Sequence, residues 1–286
     1  MNWNFWVIQA FNGVSYGALL FLVGSGLSLI FGVMRIVNLS HGSYFLLGGY
    51  VALTVIWTTG SWLLALPVAA IAIGLVGLAM ERVFLRPLGF DPLRQVLLTV
   101  GFAFLFQQAA LDIWTGNNFD ISPPPALSQS VSIGGIYFPL YRMFMIGIAL
   151  AIGLTLYLIM EKTRVGAMVR ATVDDAQMAR GIGIDTSRVS MMIFSLGAAL
   201  AALGGVIGGA FLGVYIGLDF EMLPIAFAVV IIGGMGSLGG AAIGALLVGL
   251  ADNFGKALFP EISYFTLYAP MALILAVKPT GLFGRD

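Results

Sequence analysis

The chain has 286 residues, 60% hydrophobic and 9% charged, with 13 basic against 13 acidic side chains and a mean hydropathy of +1.02. A soluble domain averages about 25% charged residues, so a soluble enzyme is excluded, and the even charge balance offers no basic surface for nucleic acid. The sequence has no cysteine and a single histidine, His41, which removes disulfides, thiolate sites and a histidine-rich metal site; no metal or other cofactor is expected.

Nine apolar runs follow along the chain, at about 6–31, 42–58, 62–80, 95–114, 143–160, 189–214, 222–236, 238–258 and 263–278. A helix that crosses a bilayer needs about 20 such residues. The runs are continuous and rich in Leu, Ile, Ala and Gly, without the ~10-residue alternation of a membrane β-barrel. The fold expected is an all-α integral membrane protein: one polytopic transmembrane domain over 1–286 with eight or nine crossings. The first run has neither a basic flank before it nor a small-residue cleavage site after it, so it is expected to stay as a helix and not leave as a signal peptide.

Between the first two runs lie Asn38, Ser40, His41 and Ser43, just past Arg35. Two readings are open. They satisfy helix ends, with Gly42 giving close packing; or they form a polar break that lines a route through the bundle, where a neutral histidine offers both a donor and an acceptor. Further on, Asp91 followed by Pro92 is an N-cap and first-turn pair for the fourth run.

The outer loop, about 115–142, carries Gly134-Gly135 between two alternating stretches, a hairpin signal. The inner loop, about 161–188, holds the pattern Thr172-x-x-Asp175, which reads as a capping box. Asp174 and Asp175 suit the positive end of a helix and Arg180 the negative end. Gly181 is placed to stop it in a left-handed cap. A helix over 172–181 is therefore predicted. It either lies on the lipid headgroups or docks in a groove on a cytosolic partner, with Ala176 and Ala179 small enough to enter that groove. Gly89-Phe-Asp-Pro-Leu-Arg94 and Gly183-Ile-Asp-Thr-Ser-Arg188 share one pattern, Gly-apolar-Asp-x-x-Arg, and both read as helix starts.

In the sixth run and beyond it Gly197, Ala201, Gly205, Gly209, Gly213 and Gly217 recur every four residues, a small-residue strip for close helix packing. A second set, Gly233, Gly234, Gly236, Gly239, Gly240 and Gly244, weakens the next two runs and predicts a hinge or broken span. Ionisable residues within the runs are few: Glu81, Asp112, Asp252 and Lys256, all near run ends. That scarcity counts against a carrier driven by protons or sodium. Gly255-Lys256 lacks the preceding Gly and following Ser or Thr of a phosphate-binding loop, so any ATP is hydrolysed by another polypeptide and no enzyme activity is read here.

With the N-terminus outside, 11 of the 13 basic residues, from Arg35 to Arg285, fall in the cytoplasm; Arg142 and Lys256 fall outside. The excess of basic residues inside predicts an N-out, C-in protein of the cell inner membrane.

The inner loop resembles the cytoplasmic coupling loop of ABC importer permeases. Three further stretches resemble the branched-chain amino-acid permeases of that class: Asn38-Leu-Ser-His-Gly-Ser-Tyr-Phe-Leu-Leu-Gly-Gly-Tyr50, Ile231-Ile-Gly-Gly-Met-Gly-Ser-Leu-Gly-Gly-Ala-Ala-Ile-Gly244, and the tail Lys278-Pro-Thr-Gly-Leu-Phe283. The shorter, LivH-type subunit is the better match. The resemblance implies inward transport of branched-chain or other hydrophobic, neutral amino acids. It also implies a second homologous permease (LivM-type) or a second copy, two cytoplasmic ATP-binding subunits and an extracytoplasmic substrate-binding protein. Thr172, Asp174, Asp175, Ala176, Ala179, Arg180, Gly181 and Gly183 are then the docking residues. Asn38, Ser40, His41, Ser43, Gly233, Gly234, Gly236, Gly239 and Gly240 are candidates for the translocation pathway. Permeases for urea or short amides resemble the sequence too, and an ion-coupled carrier is the rival of another class.

Overall fold

All nine apolar runs are helical in the computed structural model, which describes residues 3–89 and 91–284; Arg285 of the charge count lies outside them. In chain order the helices are α1 (Trp3–Met34), α2 (His41–Thr59), α3 (Trp62–Ala79), α4 (Pro92–Trp114), α5 (Leu140–Lys162), α6 (Arg164–Asp174), α7 (Ala176–Gly181), α8 (Thr186–Leu212), α9 (Leu218–Gly233), α10 (Leu238–Leu258) and α11 (Ser263–Val277). A π-helical turn, Met80–Leu85, prolongs α3. Among the described residues six helices are long and apolar enough to cross a membrane: α1, α3 with its extension, α4, α5, α8 and α10. The other three runs form α2, α9 and α11, of 19, 16 and 15 residues.

α1 and α8 form the centre. Of their most apolar stretches 72% and 67% of residues are buried, against 17% and 22% for α4 and α5, which lie outside. Small residues set the spacing. A Cβ on Gly205 of α8 would strike the Phe45 carbonyl of α2, and one on Gly249 of α10 would lie 2.5 Å from the Gly13 carbonyl of α1. The small-residue strip works as packing only as far as Gly209. Gly213 and Gly217 lie beyond α8, with φ of +80° and +103°.

Two ends of the bundle can be told apart. At one, Trp6 meets Phe254, Phe11 meets Phe138 and Trp57 meets Phe119. Here also sits the hairpin, β1 (Ser130–Ile133) with β2 (Ile136–Pro139), turning on Gly134 and Gly135 with φ of +61° and +81° as its sequence predicts. At the other end the last residues of α1, the π-helical turn and α6 to the start of α8 come together. α4 and α8 both start there, each capped by the aspartate of the shared pattern. Asp91 accepts the Arg94 N–H at 3.2 Å and Asp185 the Arg188 N–H at 3.0 Å, and each also pairs with that arginine's side chain at 2.9 Å.

α2 departs from simple antiparallel threading. His41, its first residue, places Nε2 3.0 Å from the Val23 carbonyl. Val23 lies eleven residues before Met34, the end of α1, or about 16 Å at 1.5 Å per residue. The chain turns at Arg35, where φ is +53°, and residues 35–40 climb back alongside α1. The segment ends in a turn at 39–40, with Ser40 at φ −80° and ψ 1°, and α2 begins inside the bundle with its first residue fully buried.

Candidate functional site

The start of α2 is the most polar place in the interior. Asn38, Ser40 and His41 are fully buried and Ser43 nearly so. Asn38 Oδ1 accepts from the Ser40 N–H at 3.1 Å and the Ser40 hydroxyl at 2.7 Å, a local turn of the kind asparagine makes with the backbone two residues on. Thr99 of α4 accepts the Leu39 N–H at 3.2 Å. The His41 ring uses Nε2–H on the Val23 carbonyl, which leaves Nδ1 as an acceptor in the neutral ring. That atom and Asn38 Nδ2 have no hydrogen-bond partner.

The expected side-chain cap is not formed: Ser40, the residue before α2, makes no cap hydrogen bond, and Asn38 holds the turn ahead of it instead. The polar groups line a buried seam that continues to other helices. Ser43 donates to Asp219 Oδ2 at 3.2 Å, and Gln107 of α4 donates to Asp219 Oδ1 at 3.5 Å. Asp219 is 2% exposed, in the first turn of α9. It therefore sits at the positive end of α9 and beside that of α2. The seam offers a carboxyl group, hydroxyls, an amide and a helix N-terminus within one buried region, a set that can address both ends of a zwitterion. Sequence reasoning missed Asp219, because its run was read as beginning at 222 and an acidic residue just before it passes for surface. Asp219 adds a third buried acidic residue to Glu81 and Asp252, which the sequence had named; all three lie towards helix ends, as expected.

The inner loop differs from its predicted form. Thr172 is not an N-cap: it lies inside α6, buried, with its hydroxyl on the Met168 carbonyl at 2.8 Å. α6 is capped instead by Thr163, which accepts the Gly166 N–H at 3.2 Å. The predicted single helix over 172–181 breaks at Asp175, whose carboxylate accepts the Gln177 and Met178 N–H groups at 2.8 and 2.9 Å and starts α7. Thr-x-x-Asp fits a capping box, but here the aspartate does the capping. Gly181 remains helical, and the left-handed stop is Gly183, with φ +91°. The Ile184 N–H bonds Ala179 O and the Gly183 N–H bonds Arg180 O, both at 3.0 Å, a Schellman closure.

The exposed face of α7 is also corrected. Ala179 is 2% exposed, packed against its own chain, and Ala176 is half-buried; Met178 and Ile182 stand out at 66% and 71%. Asp174 and Asp175 are exposed beside them, and Arg180 turns Nε to Thr186 Oγ1 at 2.6 Å.

The second glycine set does not break a span. α9 runs unbroken to Gly233, and Gly234 and Gly236, with φ of +103° and +82°, form the turn into α10. Gly240 packs against Gly233 across that turn, and Gly239 faces open space. The tail closes over the turn, the Leu282 and Phe283 N–H groups bonding the carbonyls of Ile232 and Gly233 at 2.9 and 3.0 Å. These glycines lie at the far end of α9 from Asp219, about 21 Å along the helix, while Val37, next to Asn38, shares a small apolar cavity with Val230, Ile231 and Met235 beside the glycine turn.

Comparison with known proteins agrees with this architecture. A family profile described as the permease component of branched-chain amino acid transport systems matches residues 9–275. The high-affinity branched-chain amino acid transport system permease protein LivH of Salmonella typhimurium is 32% identical, over 97% of this chain and 95% of its own. Its counterpart BraD of Pseudomonas aeruginosa is 28% identical over the same shares. LivM of Salmonella typhimurium is 26% identical over 98% of this chain and 71% of its own.

Proposed function

The chain belongs to the branched-chain amino acid transport permease family, a multi-pass membrane protein, and from that premise we propose that it is the membrane-spanning subunit of an ABC importer for branched-chain or similar neutral amino acids. The observation that carries the reading is the buried seam where α2 starts inside the bundle beside Asp219. Polar and ionised groups held within a membrane mark a solute route by default. Non-helical backbone such as 35–40 is tolerated there only where protein or a cavity shelters it.

In this reading the chain lies N-out and C-in in the inner membrane. The end that carries the hairpin faces outward and the end that carries α6 and α7 faces the cytoplasm, in keeping with the basic-residue split. The nine apolar helices make nine passes, α2 only a partial one. α7 docks on an ATP-binding subunit through Met178 and Ile182, with Asp174 and Asp175 at the rim. A second permease, LivM-type or another copy, and an extracytoplasmic binding protein complete the machine.

The test is reconstitution with candidate ATP-binding subunits and binding protein in proteoliposomes, following labelled leucine. ATP-dependent uptake is expected, together with a fall of more than tenfold for Asp219→Asn at equal recovery of folded protein. Uptake that persists without the ATP-binding subunits would refute the reading in favour of an ion-coupled carrier.

A further inference from the structure

A second polar site lies at the α6–α7 end, some distance from the seam at the start of α2. It is a cavity of about 130 Å³ walled by the end of α1, the π-helical turn, α6, α7 and the start of α8. That volume is close to the ~150 Å³ of an engineered cavity that takes a benzene and well below the ~300–1,000 Å³ of sites for drug-sized ligands, so it suits a small molecule. Glu81 on the π-helical turn lines it and is 2% exposed, with carboxylate oxygen Oε2 lacking any hydrogen-bond partner. Native proteins rarely leave such an atom unsatisfied, and an unpaired buried carboxylate oxygen costs its full desolvation. Arg86 and Arg180 line the same cavity, the latter with Nε on Thr186 Oγ1, and Val33, Met34 and Leu85 supply an apolar wall. A carboxylate, a cationic pair and an aliphatic patch around one small space match a molecule that carries an ammonium, a carboxylate and a short hydrocarbon.

We propose that this cavity is a binding site for a free, zwitterionic aliphatic amino acid on the inner side, its ammonium at Glu81, its carboxylate at Arg86 and its side chain against Val33, Met34 and Leu85. The inner-side placement rests on the orientation and transport reading given above. The site is separate from the seam, and α7 forms part of its wall. Ala176 and Arg180 of the docking segment line the same cavity, so the internal amino-acid pool can bear on the step that couples ATP hydrolysis to transport. The same pairing of charges occurs in the headgroup of an aminophospholipid, and the experiment separates the two sources.

The full chain is purified in nanodiscs of phosphatidylglycerol alone. Binding of L-leucine, N-acetyl-L-leucine, isopentylamine and short-chain phosphatidylethanolamine is then measured by calorimetry. L-Leucine is expected to bind at least tenfold more tightly than either analogue that lacks one charge. Glu81→Gln and Arg86→Gln are each expected to weaken L-leucine binding at least tenfold, and Asp219→Asn to leave a Glu81-dependent component. Equal binding of the analogues, no change in both cavity variants, or binding of the lipid but not of L-leucine would overturn the proposal. The analogue series on unaltered protein decides the matter even where a variant fails to fold. Uptake by the reconstituted complex is scored separately. Uptake without Glu81-dependent binding sinks this site and leaves the transport reading standing; Glu81-dependent binding without ATP-driven uptake does the reverse.

Discussion

Replacing Met178 and Ile182 together by alanine isolates the docking face of α7. The two side chains are 66% and 71% exposed in the chain alone. Full burial of a Met or Ile side chain stabilises by about 1.5–3 kcal/mol. With about two-thirds of each still available, a partner that covers both gains about 2–4 kcal/mol. Alanine keeps the Cβ, so the double variant should lose about 2–3 kcal/mol of binding, or about 30- to 150-fold in affinity at 1.4 kcal/mol per tenfold. The fold of the loop should be unaffected, since Asp175 still caps α7 and Gly183 still closes it. Biolayer interferometry of the permease in nanodiscs against the purified ATP-binding subunits measures the change. Affinity within threefold of the original would refute the assignment of this face. Ala179→Glu gives the contrast: Ala179 is packed against its own chain, so a charge there should unfold the inner loop, seen as new protease cleavage near 175–183, before any partner is added.

Further outcomes follow from the packing and the orientation. Gly205→Leu should abolish recovery of folded protein in detergent, because its side chain would collide with the Phe45 backbone, whereas Gly239→Leu, facing open space, should be recovered near normal levels. Tyr141→Phe removes a buried 2.7 Å hydrogen bond to the Ile207 carbonyl; it should cost about 1 kcal/mol, read as a lower thermal midpoint. With no native cysteine, a single one at exposed Ser128 should react with impermeant maleimide on intact cells, and one at exposed Gln177 only after lysis. The opposite pattern would invert the orientation.

The sequence made the helices readable because each needs one long apolar run, and nine runs became nine helices. The glycine pair of the hairpin and the aspartates of the repeated Gly-apolar-Asp-x-x-Arg pattern were also readable, since each acts on neighbours within four residues. What was not readable depends on depth and on choices between equivalent local patterns. Nothing in the residues 35–40 states that they retrace part of α1, so the start of α2 could be placed at a helix end but not deep in the bundle. Asp219 is buried only because α2 and α4 cover the first turn of α9, from residues more than a hundred positions away. Thr172 and Asp175 were both plausible caps, and the outcome followed from Thr172 being buried against its own loop, where its hydroxyl turns back to Met168. The glycines at 233–240 were read as a hinge or a broken span; α9 ends at Gly233, and Gly234 and Gly236 form the turn into α10, held by the tail.

The position of α2 also bears on how the protein is made. Ser43 finds its carboxylate partner 176 residues later in the chain, and Leu39 finds Thr99 60 residues later. At about 5–20 residues per second, Asp219 leaves the ribosome about 9–35 s after Ser43. Throughout that interval the polar first turn of α2 has no partner on α9, and hydrocarbon supplies none. α2 must therefore wait at the insertion channel, or lie shallow at the membrane surface, until α8 and α9 arrive to receive it. Assembly is then ordered by the seam: a chain that stalls before α9 has its future route exposed to lipid, a state that membrane proteases can recognise and that mature protein does not present.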